Sequence, residues 1–487
     1  MIRHSIFSAL LALMLLSDAA NANPKDDFES FLRQQEQGVA GMQSDFRAYK
    51  DSQDEAFANF LKGQWRDLDA RQGRPRMSAP EPTVAPRFGP QVLNPPDLPV
   101  VRTEKPVQPT VIAPQVTAPV RADNLGVAFY GNDLQIPFAA QWRAYRLPAG
   151  ERPQAISAFW TLMGTSAYEP TFAAMGKARL MLALDDWAYL NLWRDYVQAL
   201  QPARASEQNL MLWFFLVKSG FDVRMAYAGD DIYLLVAVQQ QVYESPQIIL
   251  DGKTYYPLLA DNFGVGMRSF YTYEASYPGA LRKVNLGSIR IGFAKVLRAS
   301  RTLSFKFNDR PVTLTAPYNA AVIPYFNRVP PMDFSVYFNS DASDPLRAEW
   351  LPELKRQTAK MSETDAVQFL LTMVQFSFDY KTTLQQFGRD KAFFVDDALY
   401  FPYSDCKARA VLFAWLVRNV LGLQVVGLHY PNHLTTAVEL KGSHADWVTV
   451  EHRGRRYVYA DPTFVGAPVG RQQREYRGVN PIAVIEM

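Results

Sequence analysis

The sequence predicts an α+β fold, in which helices and antiparallel strands occupy separate runs of the chain. Residues 207–228 ("EQNLMLWFFLVKSGFDVRMAYA") indicate a buried helix that leads into a strand, and residues 406–430 repeat the pattern. Each of these runs is followed by several short apolar strands. Because 48% of the 487 residues are hydrophobic and 13% are aromatic, we expect two to four globular domains.

The first 22 residues are typical of an export signal. Arg3 and His4 form a basic start, an apolar run covers residues 6–16, and Ala20-Asn21-Ala22 fits a small-x-small cleavage site. We therefore expect cleavage after Ala22 and export to the periplasm or the exterior of a bacterial cell. The alternative is an uncleaved N-terminal anchor. No later stretch reaches about 18 uninterrupted apolar residues, so no integral membrane span is expected after signal cleavage.

Residues 23–72 are predicted to be helical, because aromatic and leucine side chains recur at spacings of three and four. Gly38 and Gly41 are expected to divide this element into two helices. It either packs on itself or binds a protein partner, as an envelope-docking or oligomerisation element. Residues 73–122 are rich in proline, which favours an extended polyproline II spacer over a packed core.

The remaining chain is expected to hold three regions. Residues 123–285 are predicted to form a globular α/β region, with strands at 231–238, 247–252 and 253–261. Residues 286–344 are predicted to form a β-rich module, with strands at 288–297, 302–310 and 311–317. Helical periodicity returns at 351–361 and 363–378, inside a last domain that covers residues 345–487.

Cys406 is the only cysteine in the chain, so it cannot form an intramolecular disulfide. In an exported protein a single thiol calls for explanation as a reactive group or an intermolecular link. Ser404 and Asp405 are good N-cap residues for the apolar run that follows, which places Cys406 in the first turn of a helix. Free backbone N–H groups and the positive end of the helix dipole favour a thiolate there.

A nucleophilic cysteine also needs a base and a group that orients the base. Four short strands follow Cys406, namely "LQVVGLHY", "HLTTAVEL", "DWVTVEH" and "RRYVYADPT". His433 begins the second of these strands and Asp461 ends the fourth. Antiparallel pairing can bring these two ends to one edge of a sheet, with the cysteine helix packed across it. The sequence thus predicts Cys406 as nucleophile, His433 as base and Asp461 as orienting residue.

Other candidates are weaker. His429 lies in a strand and is the alternative base, whereas His444 and His452 lie near hairpin turns and are expected at the surface or in packing. One cysteine and scattered histidines give no zinc-ligand spacing, so no metal or other cofactor is expected. The net charge of +3 gives no reason to expect nucleic acid as a partner.

The order Cys…His…Asp, with "NHLTTAVEL" and "GRRYVYADPT", resembles the transglutaminase-like group of papain-type cysteine enzymes. The resemblance covers roughly residues 345–470. It implies a cysteine helix packed on an antiparallel sheet and thiol-dependent acyl transfer through a thioester. The family usually has an aromatic residue soon after the histidine, whereas Leu434 and Thr435 follow here, which puts substrate preference in doubt. The backbone N–H of Cys406 would bind the oxyanion, and Tyr403 is a weak candidate for a second donor.

Residues 123–285 also contain a possible degenerate copy of the last domain. "SEQNLMLWFFLVKSGFDVRMAY" aligns with the cysteine helix and its strand, and "GKTYYPLLAD" aligns with "GRRYVYAD". In this alignment Ser206 replaces Cys406, Tyr233 replaces His433, and Asp261 matches Asp461. Such a copy lacks the thiol and the imidazole and would serve binding or scaffolding. A different strand order in the two regions would contradict the duplication.

Together these observations predict an exported cysteine protease or amidase that hydrolyses peptide or isopeptide bonds of envelope protein or wall peptide. Two alternatives stay open. One is protein crosslinking, in which an amine replaces water as the acceptor of the same thioester. The other is a non-catalytic envelope scaffold or peptide-binding assembly factor. The helical element and the spacer favour the scaffold, whereas intact Cys406, His433 and Asp461 count against it.

Overall fold

The computed structural model describes residues 48–77, 83–84, 124–259, 269–442 and 444–487. The export signal, the glycine break in the helical element, most of the proline-rich spacer and Asp261 lie outside these residues. The chain divides into two units, residues 1–60 and residues 61–487. In the first unit, residues 48–60 are helical as predicted, and the rings of Phe57 and Phe60 stack with their centroids 6.0 Å apart.

The second unit is a mixture of helices and mainly antiparallel strands, which confirms the α+β class. The strands β1–β17 are, in chain order, Arg66–Asp69, Asn124–Phe129, Asn132–Pro137, Val223–Ala228, Asp231–Ala237, Ile248–Leu250, Lys253–Tyr256, Ser269–Thr272, Arg298–Phe307, Arg310–Asn319, Asp379–Tyr380, Tyr403–Ser404, Val425–Tyr430, His433–Val438, Thr449–His452, Arg455–Ala460 and Ala483–Ile485. The α-helices α1–α12 of this unit are Ala140–Ala144, Arg152–Gly164, Glu169–Met181, Asp186–Leu200, Ala205–Lys218, Ile323–Arg328, Phe334–Phe338, Leu351–Thr358, Glu363–Phe376, Thr383–Phe387, Val395–Tyr400 and Cys406–Leu416.

The C-terminal sheet has the strand order β15-β16-β14-β13-β17, and all its neighbours pair antiparallel. Helix α12 packs against β13 and β14, and its side chains are buried along its whole length. One sheet face carries a cluster of buried side chains that includes Val426, Tyr430 and Tyr459. The predicted cysteine helix on an antiparallel sheet is therefore present.

The N-terminal sheet has the order β1-β8-β4-β5-β7-β6 and is also antiparallel. Without its edge strand β1, it has the same order as the C-terminal sheet. Strands β8, β4, β5, β7 and β6 correspond to β17, β13, β14, β16 and β15. Helix α5 packs on β4 and β5 as α12 packs on β13 and β14. The strand order therefore agrees with the predicted duplication.

Strand pairing corrects the register of this correspondence. The pair Val223↔Val236 matches Val425↔Val438, and Leu250↔Lys253 matches His452↔Arg455, so the second copy lies 202 positions after the first. The alignment of Tyr233 with His433 is thus wrong by two residues, because Asp231 begins β5 where His433 begins β14. Helix α5 begins at Ala205, so Ser206 is the second residue of its helix, whereas Cys406 is the first.

Two local predictions are wrong. Residues 66–69, assigned to the helical element 23–72, form the edge strand β1, because they pair with β8 and Arg66 binds Glu274. Residues 288–297, predicted as a strand, contain none. They instead cover the β2–β3 hairpin, where the Asn132 amide donates to the Phe293 carbonyl and the rings of Phe129 and Phe293 stack.

Candidate active site

Cys406 is the first residue of helix α12, as the sequence predicts. The helix begins there because the carboxylate of Asp405 accepts a hydrogen bond from the backbone N–H of Ala408 at 3.1 Å. The side chain of Cys406 is fully enclosed, with 0% of its surface exposed. The thiol thus lies beside the free N–H groups of a helix start, inside the protein.

His433 and Asp461 meet because β14 and β16 run antiparallel, with Thr436 opposite Ala460. His433 is the first residue of β14 and Asp461 follows the last residue of β16. His433 Nε2 lies 2.9 Å from Asp461 Oδ2. His433 Nδ1 is buried and, among the described residues, has no partner at standard hydrogen-bond geometry. The Cys406 side chain interacts with the same ring and helps to raise the pKa of the imidazole.

The charges at this site favour a protonated imidazole. Burial lowers the pKa of His433, but the Asp461 carboxylate and the Cys406 thiol raise it from 6.5 to about 10. Burial raises the pKa of Asp461, whereas His433 and hydrogen bonds from Thr463 and Gln473 lower it by more. An imidazolium next to a thiol stabilises the thiolate, which is the nucleophilic form of cysteine.

A buried glutamine, Gln375 of α9, fixes the loop that carries Asp461. Its amide nitrogen donates to the carbonyl oxygens of Asp461, Phe464 and Ala467 at 3.0, 3.0 and 3.1 Å. Asp461 Oδ1 also accepts from the backbone N–H of Thr463 at 2.8 Å. Gln375 lies inside an apolar helical run and has no recognisable motif around it, so no sequence signal pointed to it.

The segment after the last predicted strand covers His433. The ring of Tyr476 stacks on the imidazole with centroids 5.0 Å apart and planes 15° apart. The Gln473 amide donates to Asp461 Oδ2 at 3.0 Å. His433 is consequently 1% exposed and Asp461 4% exposed. Neither Gln473 nor Tyr476 was singled out from the sequence, because neither belongs to the strand pattern.

Buried charges surround the start of the cysteine helix. Lys407 Nζ lies 2.5 Å from Asp405 Oδ2 and 3.2 Å from Asp390 Oδ1, and Asp390 also binds Arg76. The guanidinium of Arg409 is buried and donates to Ser404 Oγ at 3.0 Å and to the Phe378 carbonyl. Burial lowers the pKa of Arg409 to about 10. These contacts fix the backbone on both sides of Cys406.

Strand β11 pairs parallel with β12, so that Tyr380 is opposite Ser404, two residues before Cys406. The charge of Cys406 and its backbone N–H both act on the Tyr380 hydroxyl. Tyr403, the expected second oxyanion donor, has its ring next to the Lys381 ammonium at 5.1 Å. The charge of Cys406 raises the pKa of two other tyrosines, Tyr380 and Tyr476, and neither was singled out from the sequence.

The other three histidines among the described residues have different surroundings. His429, the alternative base, lies edge-on to the Phe334 ring at 5.1 Å, and burial lowers its pKa. It lines a cavity of about 550 Å³ together with His452, whose Nε2 lies 2.5 Å from Glu486 Oε1. His444 packs on Trp447 with ring centroids 4.5 Å apart.

Within the described ranges, no three histidine, cysteine or acidic residues are grouped so as to hold a metal ion. In the same part of the chain, no helix is both long and apolar enough to cross a membrane.

Cys406, His433 and Asp461 come together as one buried group, built from the first turn of α12 and the ends of two neighbouring strands. Comparison with known proteins finds no matching family model, no similar curated protein and no similar solved structure.

Proposed function

We propose that the chain is an exported transglutaminase-like cysteine enzyme that hydrolyses peptide or isopeptide bonds in the cell envelope. The observation that carries this proposal is the contact of His433 with Asp461 at 2.9 Å, next to a thiol at a helix start. The pKa of His433, raised to about 10, supports a thiolate–imidazolium pair. An inert structural thiol needs neither the imidazole nor the carboxylate.

In the proposed reaction, His433 holds the proton of the Cys406 thiol. The sulfur attacks the carbonyl carbon of an amide, and the C=O π electrons move to the oxygen. When this intermediate collapses, the C–N bond breaks and the leaving amine takes the proton from His433. Water then attacks the thioester, which releases the acid and restores the thiol. Asp461 keeps the ring oriented and stabilises its positive charge throughout.

Water is favoured over an amine as the acceptor because the site is enclosed. Cys406 and His433 have 0% and 1% of their surfaces exposed. A water molecule reaches such a site more readily than a protein side chain does. An amide substrate also reaches Cys406 only when this enclosed site opens, and crosslinking would require the opening to admit a protein amine as well.

The test is the pH dependence of iodoacetamide alkylation at Cys406. We expect rapid labelling well below pH 8 in the wild-type protein, because His433 stabilises the thiolate. His433→Ala should slow labelling at pH 6 at least tenfold, whereas His429→Ala should leave it unchanged. Slow labelling that rises only above pH 8, equally in wild type and in His433→Ala, would contradict the proposal and favour a non-catalytic binding module.

A further inference from the structure

Arg76 falls at the start of the region predicted as a proline-rich spacer, but its side chain is built into the protein. Just before it, Arg71 and Gln247 exchange two backbone hydrogen bonds of 2.9 Å, which fix the chain beside β6. The Arg76 guanidinium then reaches the loop before α11, where only 2% of its side-chain surface is exposed. It also donates to the Met332 carbonyl at 3.1 Å. An extended spacer would not need to bury an arginine in this way.

Arg76 belongs to a buried charge cluster that ends beside the thiol. Its Nε donates to Asp390 Oδ2 at 2.6 Å, and Asp390 Oδ1 lies 3.2 Å from Lys407 Nζ. Lys407 Nζ in turn lies 2.5 Å from Asp405 Oδ2. Lys407 and Asp405 are the two sequence neighbours of Cys406. The charge cluster of Arg76, Asp390, Lys407 and Asp405 thus balances two cations against two carboxylates.

This balance depends on Arg76. Burial raises the pKa of Asp390, but Arg76 and Lys407 lower it by more, so the carboxylate is charged. Without Arg76, one ammonium would serve two carboxylates, and the cluster would carry a net negative charge. A negative charge in the protein interior disfavours a second anion nearby, and the thiolate of Cys406 is such an anion. Arginine suits this position because its guanidinium stays charged over the whole accessible pH range.

Other charged or titratable groups also act on Cys406 or Asp390. They are His433 of β14, Arg409 of α12, Tyr380 of β11, Tyr476 of the C-terminal segment, Asp461 behind His433, and the exposed Glu244 near Asp390. Burial raises the pKa of both tyrosines, which therefore stay neutral. All of these groups are retained in the variants below, so that a difference between variants reports on the charge cluster.

We propose that Arg76 is a positioning residue for the acyl transfer, acting on Cys406 through Asp390 and Lys407. It neutralises Asp390, so that Lys407 stays with Asp405 at the start of α12 and no net negative charge opposes the thiolate. This inference rests on the proposed function. The active site then depends on a residue 314 positions before Asp390 in the chain, outside the part that resembles the transglutaminase-like group.

Opposite charge changes separate this role from a merely structural one. Arg76→Met leaves two carboxylates against one cation, whereas Asp390→Asn leaves two cations against one carboxylate. We expect the pH of half-maximal iodoacetamide alkylation to rise by roughly one unit in Arg76→Met and to fall by roughly one unit in Asp390→Asn. The double variant Arg76→Met/Asp390→Asn balances the charges again and should return to the wild-type value. A loosened helix start would slow alkylation in both single variants without shifts of opposite sign.

Arg74→Met is the matched control, because it removes an exposed arginine from the same stretch of chain. We expect it to alkylate as wild type does. If Arg76→Met does not fold, Asp390→Asn and the double variant still decide between the two roles. An unshifted Asp390→Asn, or single variants that shift in the same direction, would overturn the role of Arg76. In that case, rapid labelling of wild type that depends on His433 would leave the proposed function standing, whereas slow labelling independent of His433 would end it.

Discussion

His433 shows how one buried residue links stability to pH. Its pKa is raised from 6.5 to about 10, so it binds a proton more tightly in the folded chain than in the unfolded chain. Its contribution to stability is fully present below pH 6.5 and is lost as the pH rises to about 10. Asp461 has the opposite pH dependence, because its pKa is lowered. Its contribution to stability is present at neutral pH and is lost as the pH falls through the range in which carboxyl groups bind protons.

We therefore expect the free energy of unfolding in urea to fall more steeply between pH 6.5 and 10 in wild type than in His433→Gln. At about 1.4 kcal/mol per unit of pKa difference, the difference should be several kcal/mol, with an upper limit of roughly 5 kcal/mol. His444→Gln, a substitution of a histidine packed on Trp447, serves as the control. Parallel pH profiles for wild type and His433→Gln would show that the ring carries no extra proton.

At the scale of the element, the cysteine helix depends on Asp405 in two ways. Its carboxylate caps the helix through the Ala408 N–H, and it also neutralises the buried Lys407. Asp405→Ala should therefore lower the free energy of unfolding by roughly 3 kcal/mol, which is more than the loss of an ordinary N-cap side chain costs. The reason is that the buried Lys407 ammonium then keeps one of its two acidic partners, Asp390. Alkylation of Cys406 should also slow, since the helix start that holds the thiol loosens.

The matched control is Ser362→Ala at the N-cap of α9, where the Ser362 hydroxyl accepts from the backbone N–H of Asp365 at 3.1 Å. This cap neutralises no buried cation, so its loss should cost about 1 kcal/mol. Urea unfolding of both variants gives the comparison. Equal losses in the two would mean that the Asp405–Lys407 pair adds nothing to the cap.

Elements with local signals were predictable, and elements formed by distant contacts were not. Helix α12 and strands β13 to β16 follow from an N-cap, apolar runs and turn residues, which lie next to one another in sequence. Strand β1 has mostly polar residues and forms only because β8 lies beside it. Helix α4 was not assigned from the sequence, although the Asp185 carboxylate caps it at the Ala188 N–H and most of its apolar side chains are buried. The pairing of β11 with β12 was missed because it joins only two residues on each strand and leaves no pattern in the sequence.

At the scale of the whole molecule, two sheets share one strand order and one register. The likeness of the two regions was visible in sequence, but the predicted alignment was wrong by two residues. The strand register is set by the two-residue links Gly229-Asp230 and Pro431-Asn432, which have no residue in common. Because the two links share no residue type, an alignment of the sequences cannot recognise them as equivalent. The corrected register makes the turns after β6 and β15 equivalent.

These turns, Asp251-Gly252 and Arg453-Gly454, both have positive φ values, of 47° and 71° in the first and 49° and 74° in the second. Two residues of this conformation match the twist of a hairpin and favour Asp-Gly. Arg453→Asp copies the first turn into the second. It should change the free energy of unfolding by no more than about 1 kcal/mol, the upper worth of the exposed Arg453–Glu486 pair that it removes.

Arg453→Val removes the same ion pair but places a β-branched residue at φ 49°. It should therefore cost roughly 1–2 kcal/mol more than Arg453→Asp, because its side chain crowds the backbone in the left-handed region. Urea unfolding at neutral pH separates the two variants. If the two variants destabilise the protein equally, the second turn does not prefer Asp over Val at its first position. The equivalence of the two sheets would then not extend to these hairpin turns. If only valine is costly, the two turns are interchangeable, as copies of one folding unit should be.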